Sequence, residues 1–455
     1  MQAVIARKLQ QRGGNHMLLK FVTKNYKSFA DKAVFSMTPA PRQTGLDYSV
    51  LKAQAGSQVY KGLCAAVIYG PNASGKTNLI GAMDTFKSIV LRGNVRDAEQ
   101  SGMNAAGAAL EMVPNCNEAP APTEFSISFI DGTLAVEYSL TIDLGPFMAP
   151  DYNRKILREE LLVHRKQVFL RDDTLTVDLP SVIRPYLNKG MKRKSPKTLE
   201  IAKSSLSDTE LFLNNGFKTI YAQDLVKKIL DWLTNRFIVI YRSDDIRLVR
   251  RFSDPKKNSI YVEETLTKAA RAFGITSNAL GYRVNKESDG EDALLYSIFE
   301  DKKLMIPAEL FESFGTIRFI NEFPLVINAL VNGGTLIMDE FDASIHPMAL
   351  MNIINIFHND EINTRNAQLV FNTQNPIFLD SSLFRRDEIK FVERDENTGR
   401  STHYSLSDFK TSDGIRKGED YMKNYFVNRY GAIRNIDFSP IIERIMKGDG
   451  VNSDD

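Results

Sequence analysis

The chain is poor in the residues that build disulfides and metal sites. Only two of its 455 residues are cysteines, Cys64 and Cys116, too few for a disulfide framework or a cysteine-based metal cluster. His164, His358 and His403 are scattered, without the spacing of metal ligands. This usage excludes the disulfide-rich secreted proteins and fits a reducing compartment.

The sequence also lacks a charge excess and long apolar runs. Its 58 Lys and Arg nearly balance 56 Asp and Glu, so no global attraction to nucleic acid or to anionic membranes is expected. No apolar run approaches the roughly 20 residues that cross a bilayer. Residues 1–16 are mixed and basic, without the apolar core of a secretory signal. We therefore expect a soluble, cytoplasmic protein with no membrane partner.

The composition is that of an ordinary globular protein, with 43% hydrophobic and 25% charged residues. A chain of this length is expected to form one large domain with an insertion, or two domains. Changes of character along the chain suggest the boundaries. The predicted pieces are a flexible leader (1–16), an N-terminal half (17–180), a polar helical insertion (181–281), a C-terminal half (282–447) and a polar tail (448–455).

An antiparallel β-layer is predicted in the N-terminal half. Residues 124–130 and 133–140 alternate between apolar and polar around Asp131-Gly132, which is a strong hairpin signal. Strand-like stretches at 156–163 and 167–177 extend the hairpin.

Helices alternate with strands in the C-terminal half, as in parallel or mixed sheets. A helix is expected over residues 316–331, although Pro324 should kink it or remove one internal hydrogen bond. The predicted fold class is α/β, with a mixed sheet, an antiparallel β-layer and a helical insertion.

Residues 70–77 read Gly-Pro-Asn-Ala-Ser-Gly-Lys-Thr and match the phosphate-loop pattern G-x-x-x-x-G-K-[ST]. An apolar strand precedes them and a helical pattern follows, as the mechanics of the loop require. Backbone N–H groups and the helix N-terminus would face the phosphates, Lys76 would reach the β- and γ-phosphates, and Thr77 would bind Mg²⁺. The residues predicted to bind ATP here are Gly70, Asn72, Ser74, Gly75, Lys76, Thr77 and Asn78.

Residues 336–340, Leu-Ile-Met-Asp-Glu, predict a buried strand that ends in two acids. Asp339 would hold Mg²⁺ through water, and Glu340 would orient or deprotonate the attacking water. We expect this strand to lie beside the strand that precedes the phosphate loop, with both carboxyl ends toward one crevice.

Residues 312–316, Glu-Ser-Phe-Gly-Thr, lie at the start of a predicted helix. Ser313 is a plausible N-cap, and the segment also fits an ABC-type signature, which contacts the γ-phosphate of the opposite subunit. Its position one helix upstream of the acidic strand favours the signature.

Several segments together make the chain resemble the bacterial AAA-type ATPases of the ABC/SMC-like class that occur in phage-defence and abortive-infection systems. It is similar to the ATPase half of the overcoming-lysogenization-defect group and to the ATPase subunits of Septu and PARIS systems. The resemblance covers most of residues 17–433, apart from the helical insertion. It rests on Asn-Tyr-Lys-Ser-Phe (25–29), the phosphate loop, the hairpin near Phe125, residues 312–316, Asp-Glu-Phe-Asp-Ala-Ser-Ile-His-Pro (339–347) and Asn-Arg-Tyr-Gly-Ala-Ile (428–433).

The resemblance implies an ABC/SMC-type head that works as a homodimer or a multiple of dimers, with two heads sandwiching ATP·Mg²⁺. The roles it implies are phosphate and Mg²⁺ ligands (Lys76, Thr77), a Mg²⁺ partner (Asp339), the catalytic base (Glu340), contacts to the opposite subunit's nucleotide (Ser313, Gly315) and a D-loop residue at the dimer seam (Asp342).

Two features depart from the family pattern. No convincing Q-loop glutamine lies between Phe86 and Phe125, and the switch position differs. The family has a histidine in the switch position after the late strand, and this chain has Gln374. A glutamine can hydrogen-bond a γ-phosphate but cannot carry a proton. We count Gln374 with Lys76 and Glu340 as catalytic, and we expect hydrolysis to be slow.

The resemblance also implies partners. The sequence lacks the glutamate and spaced acidic pair of a TOPRIM nuclease, so the expected function is a sensor ATPase that holds and releases or activates a separate effector. That effector would be a nuclease or toxin, of the TOPRIM or HNH type, answering a phage-derived trigger.

Two other functions remain open. Basic clusters at 189–197 and 247–257 could bind nucleic acid, although such runs are usually solvated faces. The first alternative is a RecF- or SMC-like DNA-repair ATPase that clamps DNA. The second is a nucleotide-locked scaffold with little turnover.

Overall fold

The computed structural model of the chain contains two large sheets with helices packed on them. The residues it describes are 15–41, 43–96, 111–116, 119–147, 149, 152–191, 195–241, 268, 271–272, 278–285, 292–343, 345–410, 418–434 and 437–446.

The strands of these residues are β1 (His16–Lys24), β2 (Ala33–Ser36), β3 (Val50–Ala55), β4 (Gln58–Leu63), β5 (Ala65–Tyr69), β6 (Thr123–Asp131), β7 (Leu134–Asp143), β8 (Lys155–Val163), β9 (Lys166–Arg171), β10 (Leu175–Val177), β11 (Phe237–Ile240), β12 (Ala279–Asn285), β13 (Asp292–Phe299), β14 (Leu304–Pro307), β15 (Thr335–Met338), β16 (Gln368–Asn372), β17 (Ile389–Arg394) and β18 (Ser401–Ser405). The α-helices are α1 (Lys76–Arg92), α2 (Pro196–Ser204), α3 (Gln223–Asn235), α4 (Ala308–Phe311), α5 (Phe314–Asn332), α6 (Pro347–His358), α7 (Tyr421–Phe426) and α8 (Ser439–Met446).

The predicted antiparallel β-layer is confirmed as a seven-stranded sheet in the order β10-β9-β8-β7-β6-β1-β2. Its β6–β7 hairpin pairs Asp131 with Leu134, and Gly132 takes the left-handed conformation that the turn needs. The predicted strand at 167–177 is two strands, because the backbone reverses between β9 and β10. The first strand, β1, begins at His16, one residue inside the predicted leader.

The second sheet has six strands in the order β11-β15-β16-β5-β17-β18, all parallel except for the edge strand β18. The prediction that β5 and β15 lie side by side is wrong. Strand β16 lies between them and pairs with both, Met338 with Phe371 on one side and Asn372 with Ile68 on the other. The carboxyl ends of β15, β16 and β5 still meet at one edge, because all three strands are parallel.

A buried glutamine at the start of β16 joins the two sheets. The Gln368 amide oxygen accepts from the Leu18 backbone N–H at 2.6 Å and from the Thr335 hydroxyl at 2.9 Å. Its amide nitrogen donates to the Leu63 carbonyl at 2.8 Å. Strand β1 has an irregular register between Leu18 and Lys20, where its pairing with β6 is interrupted. The Gln368 side chain therefore supplies hydrogen bonds at the irregular point of a neighbouring sheet, where unpaired backbone groups would be costly.

The predicted helical insertion at 181–281 is part of the head as far as residue 240. Strand β11 pairs with β15 inside the second, six-stranded sheet, which is called the central sheet from here on. Helix α3 packs against α1 and β11 and alternates polar and buried positions at helical spacing. Its many polar residues, which suggested a separate unit, form the exposed face of an amphipathic helix. Its buried residues are Leu225, Val226, Ile229, Trp232 and Leu233.

Helix α5 follows the predicted limits closely. Ser313 is its N-cap and accepts from the Thr316 N–H at 3.1 Å, as expected, and Gly333 ends it with a left-handed backbone. The helix continues through Pro324. By length and composition alone α5 could cross a membrane. Its buried side chains, which include Ile320 and Leu325, belong to the core that packs on the central sheet.

A stacked aromatic pair, Phe129 on β6 and Trp232 on α3, lies in the core between the antiparallel sheet and α3 and yields a stability prediction. The rings of Phe129 and Trp232 stack with centroids 3.8 Å apart, and both side chains are buried. We expect Phe129→Ala to lower the free energy of unfolding by about 3–5 kcal/mol, because it leaves a cavity beside the indole. Urea unfolding followed by the fluorescence of Trp232, the only tryptophan, measures this. Phe147→Ala, at a half-exposed ring, is the control; an equal loss in both variants would contradict the assignment.

Candidate nucleotide-binding site

The phosphate loop connects β5, which is buried throughout, to the start of α1. Two of its positions have room only for glycine. A Cβ on Gly70 would lie 2.2 Å from the Val392 carbonyl oxygen, and one on Gly75 would lie 2.5 Å from the Ser401 hydroxyl. Gly75 also has a φ of 110°, a conformation that other residues rarely adopt. The loop is therefore held tightly against β17 and β18, with the N-terminus of α1 facing the phosphate position.

Lys76 lies in a pocket of carbonyls and acids. Its ammonium donates to the carbonyls of Gly70 at 2.6 Å and Pro71 at 3.0 Å, and the side chain is largely buried. Burial lowers the pKa of Lys76 to about 8, an effect that the nearby Asp339 and Glu340 carboxylates partly oppose. Phosphate groups beside the ammonium would stabilise its charged form.

The predicted Mg²⁺ ligands meet at the end of the central sheet. The Thr77 hydroxyl donates to one Asp339 carboxylate oxygen at 3.1 Å. The Asn372 amide donates to the same oxygen. A hydroxyl and a carboxylate are the oxygen donors that Mg²⁺ takes alongside water and phosphate, so Thr77 and Asp339 fit this ion.

The backbone positions the Glu340 carboxylate. Glu340 is exposed and has a φ of 53°, a left-handed conformation that costs on the order of 1 kcal/mol for a residue other than glycine. Its N–H donates to the Asn372 side-chain oxygen, and its carbonyl accepts from Arg318 at 2.7 Å. These two contacts hold the strained turn that directs the acid out of the sheet edge.

Three residues that shape this site have no role predicted from the sequence. Arg318 holds the Glu340 carbonyl, Asn372 bridges Asp339 and Glu340, and the Thr373 hydroxyl donates to Asp342. Asn372 ends strand β16 and Thr373 follows it, so polar side chains at the end of an apolar strand were the available signal. No local pattern marks Arg318, because its role depends on how α5 packs.

Arg318 is itself held by a buried acid. Its Nε donates to Glu322 at 3.0 Å, one turn further along α5. Burial raises the pKa of Glu322 to about 7, with Arg318 opposing the shift. Burial likewise raises the pKa of Asp342, while the hydrogen bond from Thr373 opposes it.

The N-terminal motif at 25–29 supports the phosphate loop. The Ser28 hydroxyl accepts from Asn78 at 2.8 Å, and the Ser28 carbonyl accepts from the Ser401 N–H at 2.7 Å. The Ser401 hydroxyl donates to the Ser74 carbonyl at 2.6 Å. The motif therefore joins β1 to the loop and to β18, and it gives Asn78 and Ser74 supporting contacts.

Other predicted site residues lie at the surface. Ser313 is exposed at the start of α5 with Gly315 just after it, and their contacts to a second subunit stay a prediction. Asn72 and Gln374 are exposed on the phosphate loop and after β16. Of the first basic cluster, Lys189 and Lys197 are exposed. The cluster at 247–257 lies outside the described residues.

Comparison with known proteins gives a family match. Residues 65–380 match the family described as "AAA domain, putative AbiEii toxin, Type IV TA system". No curated protein matches the chain significantly.

Among solved structures, the chain is similar to an SmcHead bound to the C-winged helix domain of ScpA (15% identity, 88% of this chain and 99% of that chain, TM-score 0.39). It is also similar to the Smc head domain with an extended coiled coil from Pyrococcus furiosus, bound to the C-terminal domain of ScpA (14%, 88% and 98%, 0.38). A third is the SMC head domain from Thermotoga maritima (12%, 85% and 98%, 0.36).

The lowered pKa of Lys76 predicts pH-dependent nucleotide binding. Phosphates pair with the charged ammonium, so binding requires protonation once the pH exceeds about 8. We expect nucleotide affinity to be constant below this pH and to fall by up to about tenfold per unit above it. Titration with a fluorescent nucleotide at pH 7, 8 and 9 measures the change. Lys76→Ala should bind weakly at every pH, and a flat wild-type profile would refute the prediction.

The raised pKa of Glu322 predicts that the protein loses stability as the pH rises. Because folding raises the pKa of Glu322 from 4.5 to about 7, the protonated side chain contributes to the free energy of unfolding. That contribution is fully present below pH 4.5 and is lost as the pH rises through 7. We expect Glu322→Gln, which keeps an oxygen for Arg318, to remove a decline of about 1–3 kcal/mol in unfolding free energy between pH 5 and 8. Chemical denaturation at both pH values tests this. The exposed Glu309→Gln is the control, and an unchanged decline in Glu322→Gln would count against the assignment.

Proposed function

The chain belongs to the family of AAA domains whose description includes the AbiEii toxin and a Type IV TA system. From this premise we propose that it is the ATP-binding and ATP-hydrolysing sensor subunit of an antiphage defence complex. In this proposal the chain holds a separately encoded effector, a nuclease or toxin. It releases or activates that effector when a phage-derived trigger is present.

The observation that carries the proposal is the meeting of Lys76, Thr77, Asp339 and Glu340 at one edge of the central sheet. Lys76 and the N–H groups at the start of α1 would bind the β- and γ-phosphates. Thr77 and Asp339 would hold Mg²⁺, which neutralises phosphate charge when bound. Glu340 would accept a proton from the attacking water, since its carboxylate is exposed beside the others.

Assembly into dimers is supported by the surface around the predicted signature. Ser313 is exposed, and large apolar side chains on either side of it are exposed to water. Leu310 is 79% exposed, Phe311 51% and Phe314 60%. Several exposed large apolar side chains close together in the sequence are typical of protein contacts. A second head placed here would bury these side chains and would bring Ser313 and Gly315 to the nucleotide of its partner.

The defence role is supported by the family description, which names an AbiEii toxin and a Type IV TA system. A separate effector is favoured because the sequence after Asp339 and Glu340 lacks the glutamate and spaced acidic pair of a TOPRIM nuclease. Slow turnover is expected from Gln374, whose amide can contact a γ-phosphate without transferring a proton. A slow ATPase suits a sensor, because the nucleotide-bound state persists until the trigger acts.

The proposal is tested by ATP turnover of the chain, expressed with and without the product of its neighbouring gene. We expect Glu340→Gln to reduce turnover by about 10²–10⁴-fold, because it removes the general base, while nucleotide affinity stays within about threefold. Lys76→Ala should lose nucleotide binding. The exposed Glu396→Gln should behave as wild type.

Copurification with the neighbouring gene product distinguishes the remaining functions. Nucleotide-dependent release or activation of that product supports the sensor ATPase. Bound ATP that is never hydrolysed, with the product retained regardless, would instead support the nucleotide-locked scaffold. Retention of duplex DNA by the ATP-bound Glu340→Gln dimer would support the clamp.

A further inference from the structure

Three potential metal ligands meet in the core at the edge of the central sheet opposite the nucleotide site. Cys64 directly precedes β5, Glu388 directly precedes β17, and His358 ends α6. Their donor atoms all lie within 4.8 Å of one another, and each residue is at least nine-tenths buried. They are far apart in the sequence, which is why their spacing predicted no metal cluster.

The hydrogen bonding of this cluster is incomplete. One imidazole nitrogen of His358, Nε2, lies 3.3 Å from a Glu388 carboxylate oxygen. The other, Nδ1, is buried without a hydrogen-bond partner among the described residues. The Cys64 thiol donates a hydrogen bond to the Tyr48 carbonyl, with sulfur and oxygen 3.5 Å apart. A buried donor or acceptor left unpaired is costly, so this nitrogen calls for an explanation.

The charges around the thiol favour a cation. The Glu388 and Asp360 carboxylates lie near the Cys64 thiol, and the positive charge of Arg385 partly offsets them. A dication between the thiol and the carboxylate would bind the thiolate and release its proton. One thiolate, one carboxylate and one dication sum to zero charge, the arrangement that a buried site tolerates best.

We propose that Cys64, His358 and Glu388 bind one structural Zn²⁺ ion. Thiolate, imidazole and carboxylate are the ligands zinc takes, with bonds of about 2.0–2.3 Å that place ligand atoms roughly 3.3–3.8 Å apart in a tetrahedron. The donor atoms, at most 4.8 Å apart, need to approach one another by up to about 1.5 Å. The Tyr48 carbonyl or a water would complete the four ligands. Binding converts the Cys64 S–H bond into a sulfur–zinc bond and releases one proton to solvent.

The site is distinct from the nucleotide site. It lies at the amino ends of β5 and β17, whereas the phosphate loop leaves the carboxyl end of β5. The ring of Tyr48 packs edge-on against His358 at 5.6 Å and is 44% exposed, so it separates the site from solvent. The ion would tie α6 to two strands of the central sheet.

Cobalt titration of the full chain, purified without chelators, tests the proposal. We expect one equivalent of Co²⁺ to give a thiolate–cobalt charge-transfer band that one equivalent of Zn²⁺ abolishes. Elemental analysis after expression in zinc-supplemented medium should find one zinc per chain. Cys116→Ser, at the other cysteine, should leave both results unchanged, and Cys64→Ser should remove the band.

The test does not depend on a folded variant, because measurements on the wild-type protein alone can contradict the proposal. Absence of the thiolate–cobalt band in the wild type, or a band retained in folded Cys64→Ser, would show that this cluster holds no metal. The readouts do not involve nucleotide. If the chain binds zinc but hydrolyses no ATP, the zinc site stands and the proposed function fails. If it hydrolyses ATP but binds no zinc, the proposed function stands and the zinc site fails.

Discussion

Strand β16 is the element on which the rest of the structure depends. Both strands that carry the site, β5 and β15, hydrogen-bond to it, so it fixes their registers relative to each other. At its start, Gln368 joins the central sheet to the irregular point of β1 in the other sheet. At its end, Asn372 contacts Asp339 and the backbone of Glu340. One five-residue strand therefore connects the two sheets and orders the acids.

The site concentrates opposite charges where water is largely excluded. Lys76, Asp339 and Asp342 are buried or half-buried, and burial disfavours the charged forms of Lys76 and Asp342. Such groups interact strongly with the phosphates of a nucleotide and with their cation, because a low local dielectric screens electrostatic interactions less than water does. The hydrogen bonds from Thr77, Asn372 and Thr373 hold Asp339 and Asp342 in place before a nucleotide binds. The side chains therefore need less reorganisation when it does.

Helix α5 relates the predicted dimer surface to Glu340, the proposed catalytic base. Its first turn exposes Ser313, and the next turn places Arg318 on the carbonyl of Glu340. Glu322 then fixes the Arg318 side chain from the buried face of the same helix. The strained backbone of Glu340 is thus supported by the helix that carries the predicted signature, and any displacement of α5 acts directly on that support.

The sequence by itself determined the parts that depend on neighbouring residues. The phosphate loop, the hairpin at Gly132, the cap at Ser313 and the acidic strand were all predictable, because glycine conformations, capping and strand alternation are local effects. Strand order was not predictable, so β16 was not expected between β5 and β15, and α3 and β11 were assigned to a separate insertion. The roles of Arg318, Asn372 and Gln368, and the meeting of Cys64 with His358 and Glu388, were decided only by tertiary structure. Each requires segments distant in sequence to pack together, and periodicity carries no information about which surfaces will meet.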